Sequence, residues 1–235
     1  MIAEWTGSAR GTGRPNYRRY WLSLYRRDVE AAGRVVDAAL RRWPPQRIYL
    51  RLFEPALSLS GTLWARGRIT YRDEHFVTWH TLRFMRRVRH RFVPLETFGP
   101  LAVATGVGQE SHLIGLRMVC DFLGWANWRI HWLSSNDRAT AAETVGRLKP
   151  QAVLLSMGLD ESITPTGRLI ADLRRRGYSG LVAIGGRVVN CNPSLVKQLG
   201  ADLTAANGAA LVRLLRPRFP DMGQKRAADP RVAGG

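Results

Sequence analysis

The chain has 235 residues, and its 36 Lys and Arg against 18 Asp and Glu give a formal net charge of +18 at pH 7. Hydrophobic residues make up 45% of the sequence, which is enough for a sizeable core and excludes global disorder. The sequence has no apolar run of the about 20 residues that a membrane span needs, no signal-peptide pattern, and no metal-type spacing of Cys120 and Cys191. Secreted disulfide-rich, transmembrane and zinc-finger proteins are therefore excluded, and a reducing cytoplasm is the expected location.

The first half of the chain has the hydrophobic period of α-helices, and we expect residues 1–13 before it to be flexible. The pattern over 14–95 predicts four helices, at about 17–25, 27–43, 46–64 and 71–92. Pro44 and Pro45 end the second helix, and Pro55 predicts a kink or an interruption in the third. These segments together predict a four-helix-bundle domain.

The fourth helix has a recognisable start and two different faces. Thr70 and Asp73 form a capping-box pattern, with Asp in place of the usual Glu, which predicts that the helix begins at Tyr71. Five apolar side chains are predicted to face inward: Phe76, Trp79, Leu82, Met85 and Val88. Four basic side chains lie on the other face: Arg83, Arg86, Arg87 and Arg89. That basic face is a candidate contact surface for carboxylates of a protein partner or for phosphates.

Residues 98–216 alternate between short apolar segments and helical patterns. The strand candidates are 101–105, 128–133, 151–156, 181–185 and 202–206. This alternation predicts the α/β fold class, with a flavodoxin-like (Rossmann-type) five-stranded parallel sheet. In such a sheet, ligands bind at the carboxyl ends of the strands. The Pro-, Gly- and charge-rich residues 217–235 are predicted to be a disordered tail.

The loop after the first strand has two weaker interpretations. Gly106 and Gly108 resemble part of a dinucleotide fingerprint, but the third glycine is missing, so a nicotinamide or methyl-donor nucleotide site stays an alternative. The first strand also lacks the acidic pair that would bind magnesium in a response regulator.

The same loop contains Glu110, His112 and Gly115 in an E-x-H-x-x-G pattern. An imidazole on this loop can donate a lone pair to a metal, and a carboxylate two residues earlier can bind its other nitrogen and fix the tautomer. Gly115 would let a bulky planar group approach the backbone. The alternative is an ordinary surface histidine.

Ser156 ends the third strand and the pair Gly185 and Gly186 ends the fourth, which leaves a narrow slot beside the sheet. With these residues, 101–216 resembles the cobalamin-binding domain family, whose motifs are D-x-H-x-x-G, a serine and Gly-Gly at similar intervals. The resemblance implies that His112 is the lower axial cobalt ligand and that the slot takes the dimethylbenzimidazole tail. Glu110 replaces the family's Asp, a change similar to that in light-sensing members.

The helical half carries a second match. Trp64 is followed, after nine residues, by Glu74 and His75. This W-x9-E-H pattern resembles the helical cap of cobalamin photoreceptor regulators, in which the tryptophan covers the upper face of the corrin. The resemblance implies that cobalamin lies between cap and α/β domain, with Trp64, Glu74 and His75 lining the upper face. The alternative is that Trp64 belongs to the core and His75 to the surface.

Two departures narrow the resemblance. The DNA-binding photoreceptors have a winged helix-turn-helix ahead of the bundle, and a histidine directly after the capping tryptophan, where this chain has Ala65. The sequence therefore resembles most the shorter antirepressors of photosynthesis genes (the AerR/PpaA type).

The expected function is that of a cobalamin-dependent, light-responsive regulator that is not an enzyme, that binds a transcriptional repressor and that does not enter a membrane. Its charge predicts only auxiliary, salt-sensitive contact with DNA. The main alternative is a corrinoid methyl carrier of a methyltransferase system, and a third is direct DNA binding through the Arg-rich faces.

Overall fold

A computed structural model describes residues 15–92 and 98–220 of the chain. The chain divides into two compact units, residues 1–92 and 93–235. The flexible N-terminus predicted for residues 1–13 lies outside the described residues, as does the predicted tail from residue 221 onward. Within the described ranges, no helix is both long and apolar enough to cross a membrane.

The first unit consists of helices, as the sequence pattern predicts. They are α1 (Tyr17–Tyr25), α2 (Val29–Leu40), α3 (Pro45–Ile48), a π-helical turn (Tyr49–Phe53), α4 (Glu54–Ala65) and α5 (Tyr71–Phe92). The interruption expected at Pro55 is the π-helical turn that precedes it, in which the Glu54 N–H donates to the Tyr49 carbonyl. Since proline lacks an N–H and its ring crowds the preceding turn, a locally wider helix accommodates it.

Two buried hydrogen bonds connect α1 to two other helices of this unit, α5 and α4. The Tyr20 and Thr81 hydroxyls are 2.9 Å apart, and Trp21 Nε1 donates to Ser60 Oγ over 2.8 Å. Burial raises the pKa of the Tyr20 phenol far above its ordinary value, more than the hydrogen bond with Thr81 lowers it. The phenol therefore stays protonated and can donate to the threonine.

The prediction of which face of α5 points inward is wrong in part. Met85 and Val88 are buried as expected, but Trp79 is 55% exposed and Leu82 is 37% exposed. Three other side chains of α5 are buried: Val77, His80 and Thr81. The buried stripe is thus rotated about the helix axis, because the aromatic residues lie on both faces and the Tyr20 hydroxyl partners a polar threonine.

The second unit is an α/β fold with a parallel sheet. Its strands are β1 (Leu101–Gly106), β2 (Arg129–Trp132), β3 (Ala152–Ser156) and β4 (Leu181–Gly185), in the order β2-β1-β3-β4. Its α-helices are α6 (Ile114–Trp125), α7 (Arg138–Leu148), α8 (Ile163–Arg175), α9 (Arg187–Cys191), α10 (Leu195–Gln198) and α11 (Gly208–Leu215). The chain leaves β1 toward β2 on one side and returns to β3 on the other, which makes the carboxyl ends of β1 and β3 the topological switch point.

The fifth predicted strand is reduced to an isolated bridge between Ala183 and Leu203. Asp202 explains why a ladder does not extend there. Its carboxylate accepts from the Val182 N–H over 2.6 Å and from Arg174 over 2.7 Å. A side chain thus takes a backbone donor that a longer ladder would use, and the flavodoxin-like architecture is otherwise as predicted.

The start of α5 is the predicted capping box. The Asp73 N–H donates to Thr70 Oγ1 over 3.2 Å, and Asp73 Oδ2 accepts from the Thr70 N–H over 3.0 Å and from the Thr70 hydroxyl over 2.6 Å. These bonds satisfy backbone donors that the first helical turn leaves without partners.

Thr70→Ala should lower the free energy of unfolding of the helical unit by about 1 kcal/mol, because it removes this cap. The matched control is Thr62→Ala, which removes only a hydroxyl bonded to the Ser58 carbonyl inside α4 and should change stability by less than about 0.5 kcal/mol. Urea titration followed by far-ultraviolet circular dichroism measures both variants. Equal losses would show that the cap contributes nothing specific.

Candidate functional site

The centre of the candidate site is the buried carboxylate of Glu110, which is 1% exposed. Its Oε1 accepts from the His112 N–H over 2.6 Å. Its Oε2 accepts from the Gly158 N–H, from the Leu159 N–H over 3.2 Å and from the Ser162 hydroxyl over 3.1 Å. One side chain therefore joins the loop that follows β1 to the loop that follows β3.

The hydrogen bonds keep this carboxyl ionised. Burial raises the pKa of Glu110, but the bonds donated by the backbones of His112 and Gly158 and by Ser162 together outweigh it. The pKa of Glu110 consequently lies below the ordinary value of 4.5. A charged carboxylate at neutral pH is an acceptor only, so every group that faces it must donate.

His112 is held by this carboxylate yet open to a ligand. Its Nδ1 lies 3.3 Å from Glu110 Oε1, and its side chain is 56% exposed. Because the carboxylate can only accept, this contact favours the tautomer with the proton on Nδ1, in which Nε2 of the neutral ring keeps its lone pair. An exposed imidazole with a fixed tautomer is suited to binding a transition metal through Nε2.

The loop after β3 fits closely against His112. A Cβ added at Gly158 would lie 2.7 Å from the Cβ of His112 and 3.1 Å from Glu110 Oε1, so only glycine fits there. Ser156, predicted to line the slot, donates its hydroxyl to the His112 carbonyl over 3.2 Å. The serine at the end of β3 thus supports the histidine loop directly.

The predicted glycines differ in their surroundings. A Cβ added at Gly115 or Gly185 would meet no atom within 4 Å, so both positions border open space. Gly186 has φ of +111°, and a Cβ there would lie 2.5 Å from the Met157 carbonyl oxygen. Gly186 is therefore required for the close approach of the ends of β3 and β4. The open space beside Gly115 and Gly185 and the exposed His112 fit a bulky planar cofactor with an axial nitrogen ligand.

The residues predicted in the helical unit lie on the last turn of α4 and the first turn of α5. Trp64 is 48% exposed, so it does not belong to the core of this unit. His75 Nδ1 lies 2.9 Å from Glu74 Oε2, and the His75 ring is 3.7 Å from the Tyr71 ring. The structure therefore brings a partly buried Glu74 and an exposed His75 together as a pair, with Nε2 of His75 on the side of the ring away from the contact.

Five residues of the α/β site were not predicted. Gly158, Leu159 and Ser162 bind Glu110 as described above. Asn136 Nδ2 donates to the Glu110 carbonyl over 2.7 Å, and Arg187 Nε donates to the Gly158 carbonyl over 3.2 Å. The sequence signal that could have identified them is their position, since each lies within a few residues of the carboxyl end of a predicted strand.

The chain was compared with known proteins in three ways, and two of the comparisons found matches. A protein-family model described as a B12 binding domain matches residues 17–89. A search of the curated proteins finds no match. A monomethylamine corrinoid protein from Methanosarcina barkeri has a similar fold, with a TM-score of 0.75 and 17% identity, over 85% of this chain and 96% of that chain.

Two further solved structures are less similar. A cobalamin-binding protein from Desulfitobacterium hafniense has a TM-score of 0.46 and 20% identity, over 86% of this chain and 98% of that one. A methanol:cobalamin methyltransferase complex from Methanosarcina barkeri has a TM-score of 0.48 and 14% identity, over 86% and 78%. The family match confirms the predicted cobalamin cofactor, and the corrinoid protein with the TM-score of 0.75 confirms the fold.

The ionised state of Glu110 predicts a pH dependence. Since its pKa in the fold is below 4.5, its contribution to stability is complete above pH 4.5 and is lost as the pH falls through the lower, folded-state value. Glu110→Gln should therefore lower the free energy of unfolding at pH 7 by about 1–3 kcal/mol, and the difference from the wild type should shrink below pH 4.5.

Denaturant titrations of both proteins from pH 7 to pH 3 measure this difference. Glu143→Gln, at an exposed position of α7, is the matched control. A deficit in Glu110→Gln that stays constant down to pH 3 would contradict an ionised, hydrogen-bonded Glu110.

Proposed function

We propose that the chain binds cobalamin through Nε2 of His112 as the lower axial cobalt ligand, and that it presents the cofactor to a partner protein without being a catalyst by itself. The observation that carries this proposal is the His112–Glu110 pair, with its 3.3 Å contact at Nδ1 and its exposed imidazole. Bound alkylcobalamin would supply a cobalt–carbon bond. Its methyl group can be transferred to an acceptor, or light can break the bond.

The residues of the site have separate tasks in this function. Glu110 fixes the tautomer of His112 and increases the electron density at Nε2. Ser156 and Gly158 keep the histidine backbone in place. Gly115 and Gly185 leave room for the ring and the tail of the cofactor.

The first candidate role is that of a corrinoid carrier whose partner is a methyltransferase. Its support is the fold, which is similar over 85% of this chain to that of a monomethylamine corrinoid protein. A carrier needs a cofactor that is held firmly on one side and reached by the partner on the other. The single protein ligand at His112, supported by four hydrogen bonds to Glu110, meets the first requirement.

The second candidate role is that of a light-responsive regulator that binds a transcriptional repressor. Its support is that Trp64 is half-exposed and that the His75 side chain, paired with Glu74, is 56% exposed, so these residues are accessible to the upper face of a cofactor, as the resemblance of the W-x9-E-H pattern implies. Arg83, Arg86, Arg87 and Arg89 on α5 are exposed and can meet an acidic surface or, as auxiliary contacts, DNA phosphates.

His112→Ala should weaken cobalamin binding at least about tenfold and shift the visible spectrum to that of cobalamin without an imidazole ligand. His131→Ala, which removes the imidazole on β2, is the control and should leave both unchanged. Equilibrium titration followed by absorbance measures affinity and ligation together. Unchanged affinity and spectrum in His112→Ala would exclude it as the ligand.

A second experiment separates the two roles. In a regulator, illumination of the alkylated cofactor should give a spectrum that changes in His75→Ala but not in His80→Ala. The reason is exposure, since the His75 side chain is 56% exposed whereas His80 is buried between Phe76 and Trp79. Burial, with Arg83 and Arg27 nearby, lowers the pKa of His80.

A lit spectrum that is the same in both variants and in the wild type would contradict a histidine upper ligand. Stoichiometric transfer of the methyl group in the dark, to a thiol and only when a methyltransferase is added, would favour the carrier over the regulator.

A further inference from the structure

A concave feature lies in the helical unit, beside the last turns of α2 and α5. It is a cavity of about 520 Å³. Six residues line it: Asp37, Leu40, Arg41, Arg87, His90 and Arg91. None of them belongs to the residues assigned above to cobalamin.

The lining has more positive than negative charge. Three guanidinium groups face one carboxylate, and Arg87 already pairs with Asp37 over 2.5 Å. Among the residues that the structure describes, no carboxylate lies within ion-pairing distance of Arg41 or Arg91. Since arginine stays protonated at all physiological pH values, two guanidinium charges of the lining have no carboxylate partner among these residues.

The helix ends do not account for both charges. A helix C-terminus carries about half a negative charge, so the ends of α2 and α5 together offset about one of the two. Another arginine cluster of the chain also has three guanidinium groups for one carboxylate, but there Arg138, Arg175 and Arg176 all approach the carboxylate of Asp172, at 3.2 to 3.5 Å. In the cavity of the helical unit, Arg41 and Arg91 have no such shared acceptor among the described residues.

We propose that this cavity binds a phosphate-bearing small molecule. Guanidinium groups bind phosphate oxygens in pairs, and a phosphate monoester carries −1.5 to −2 charges at pH 7, as in phosphoserine. One phosphate has oxygens for both Arg41 and Arg91, the two guanidinium groups of the lining that have no carboxylate partner among the described residues. The volume lies within the range of small-molecule sites, about 300–1,000 Å³. It exceeds what a phosphate group alone would fill, and Leu40 gives the remaining part of the ligand an apolar contact.

Asp37 has a positioning part in this site. Its bond to Arg87 fixes that guanidinium at the wall, with side-chain exposures of 34% for Asp37 and 53% for Arg87. Arg41 at the C-cap of α2 and Arg91 on α5 can then approach one phosphate from two sides.

Isothermal titration of the full chain, loaded with cobalamin and at constant ionic strength, tests the proposal with inorganic phosphate and glycerol 3-phosphate as probes. The double variant Arg41→Gln/Arg91→Gln should bind glycerol 3-phosphate at least about tenfold more weakly than the wild type. The control Arg34→Gln/Arg83→Gln removes equal charge from the same two helices, at positions that do not line the cavity, and should bind within about twofold of the wild type. Circular dichroism establishes that both double variants are folded.

The His90 ring resonances give a second readout, because this ring lines the cavity. They should shift on addition of glycerol 3-phosphate in the wild type and in the control variant, but not in the cavity variant. Tighter binding of the ester than of free phosphate supports a site for the whole molecule. Equal weakening in both double variants, no binding at millimolar concentration, or a selective loss of duplex DNA binding alone would each overturn the proposal.

Discussion

The carboxylate of Glu110 holds the loop after β1 against the loop after β3, and the placement of His112 depends on that contact. Four donors meet its two oxygens, and three of them are backbone or hydroxyl groups from 158–162. A carboxylate so fully bonded stays ionised although it is buried, and an ionised acceptor fixes which nitrogen of His112 carries the proton. Protonation or removal of Glu110 would therefore loosen both loops and, at the same time, leave either nitrogen of His112 able to carry the proton. The parallel order β2-β1-β3-β4 makes this possible, because it places the ends of β1 and β3 side by side.

The helical unit has a second histidine–glutamate pair, on its surface. His75 is paired through Nδ1 with the neighbouring Glu74, as His112 is with Glu110, and in both pairs Nε2 points away from the acid. The two pairs differ in burial, since Glu110 is inaccessible whereas Glu74 is 22% exposed. We therefore expect His112 to be the more rigid ligand and His75 to be free to exchange partners. That difference suits a permanent lower ligand and a reversible upper contact.

Local patterns predicted the parts of this molecule that depend on short sequence separation. The capping box at Thr70, the interruption near Pro55 and the pairing of Glu110 with His112 all arise from residues within about five positions of one another. The partners Gly158 and Ser162 were missed because they reach Glu110 only through the register of β1 against β3, about fifty residues later. The prediction that Trp79 and Leu82 face inward on α5 was wrong, because the helical period alone cannot choose between two faces that both carry aromatic rings. The fifth strand was overpredicted because alternation does not reveal that Asp202 takes the Val182 N–H for its own carboxylate.

The central claim is that Nε2 of His112 binds cobalt, and electron paramagnetic resonance of the protein with divalent cobalt tests it most directly. The account predicts superhyperfine splitting of the cobalt lines into triplets by one ¹⁴N nucleus. Incorporation of ¹⁵N-histidine should convert the triplets to doublets, and His112→Ala should abolish the histidine-dependent splitting. Triplets that persist unchanged after ¹⁵N-histidine labelling, or ¹⁵N-dependent doublets that survive in labelled His112→Ala, would contradict the account.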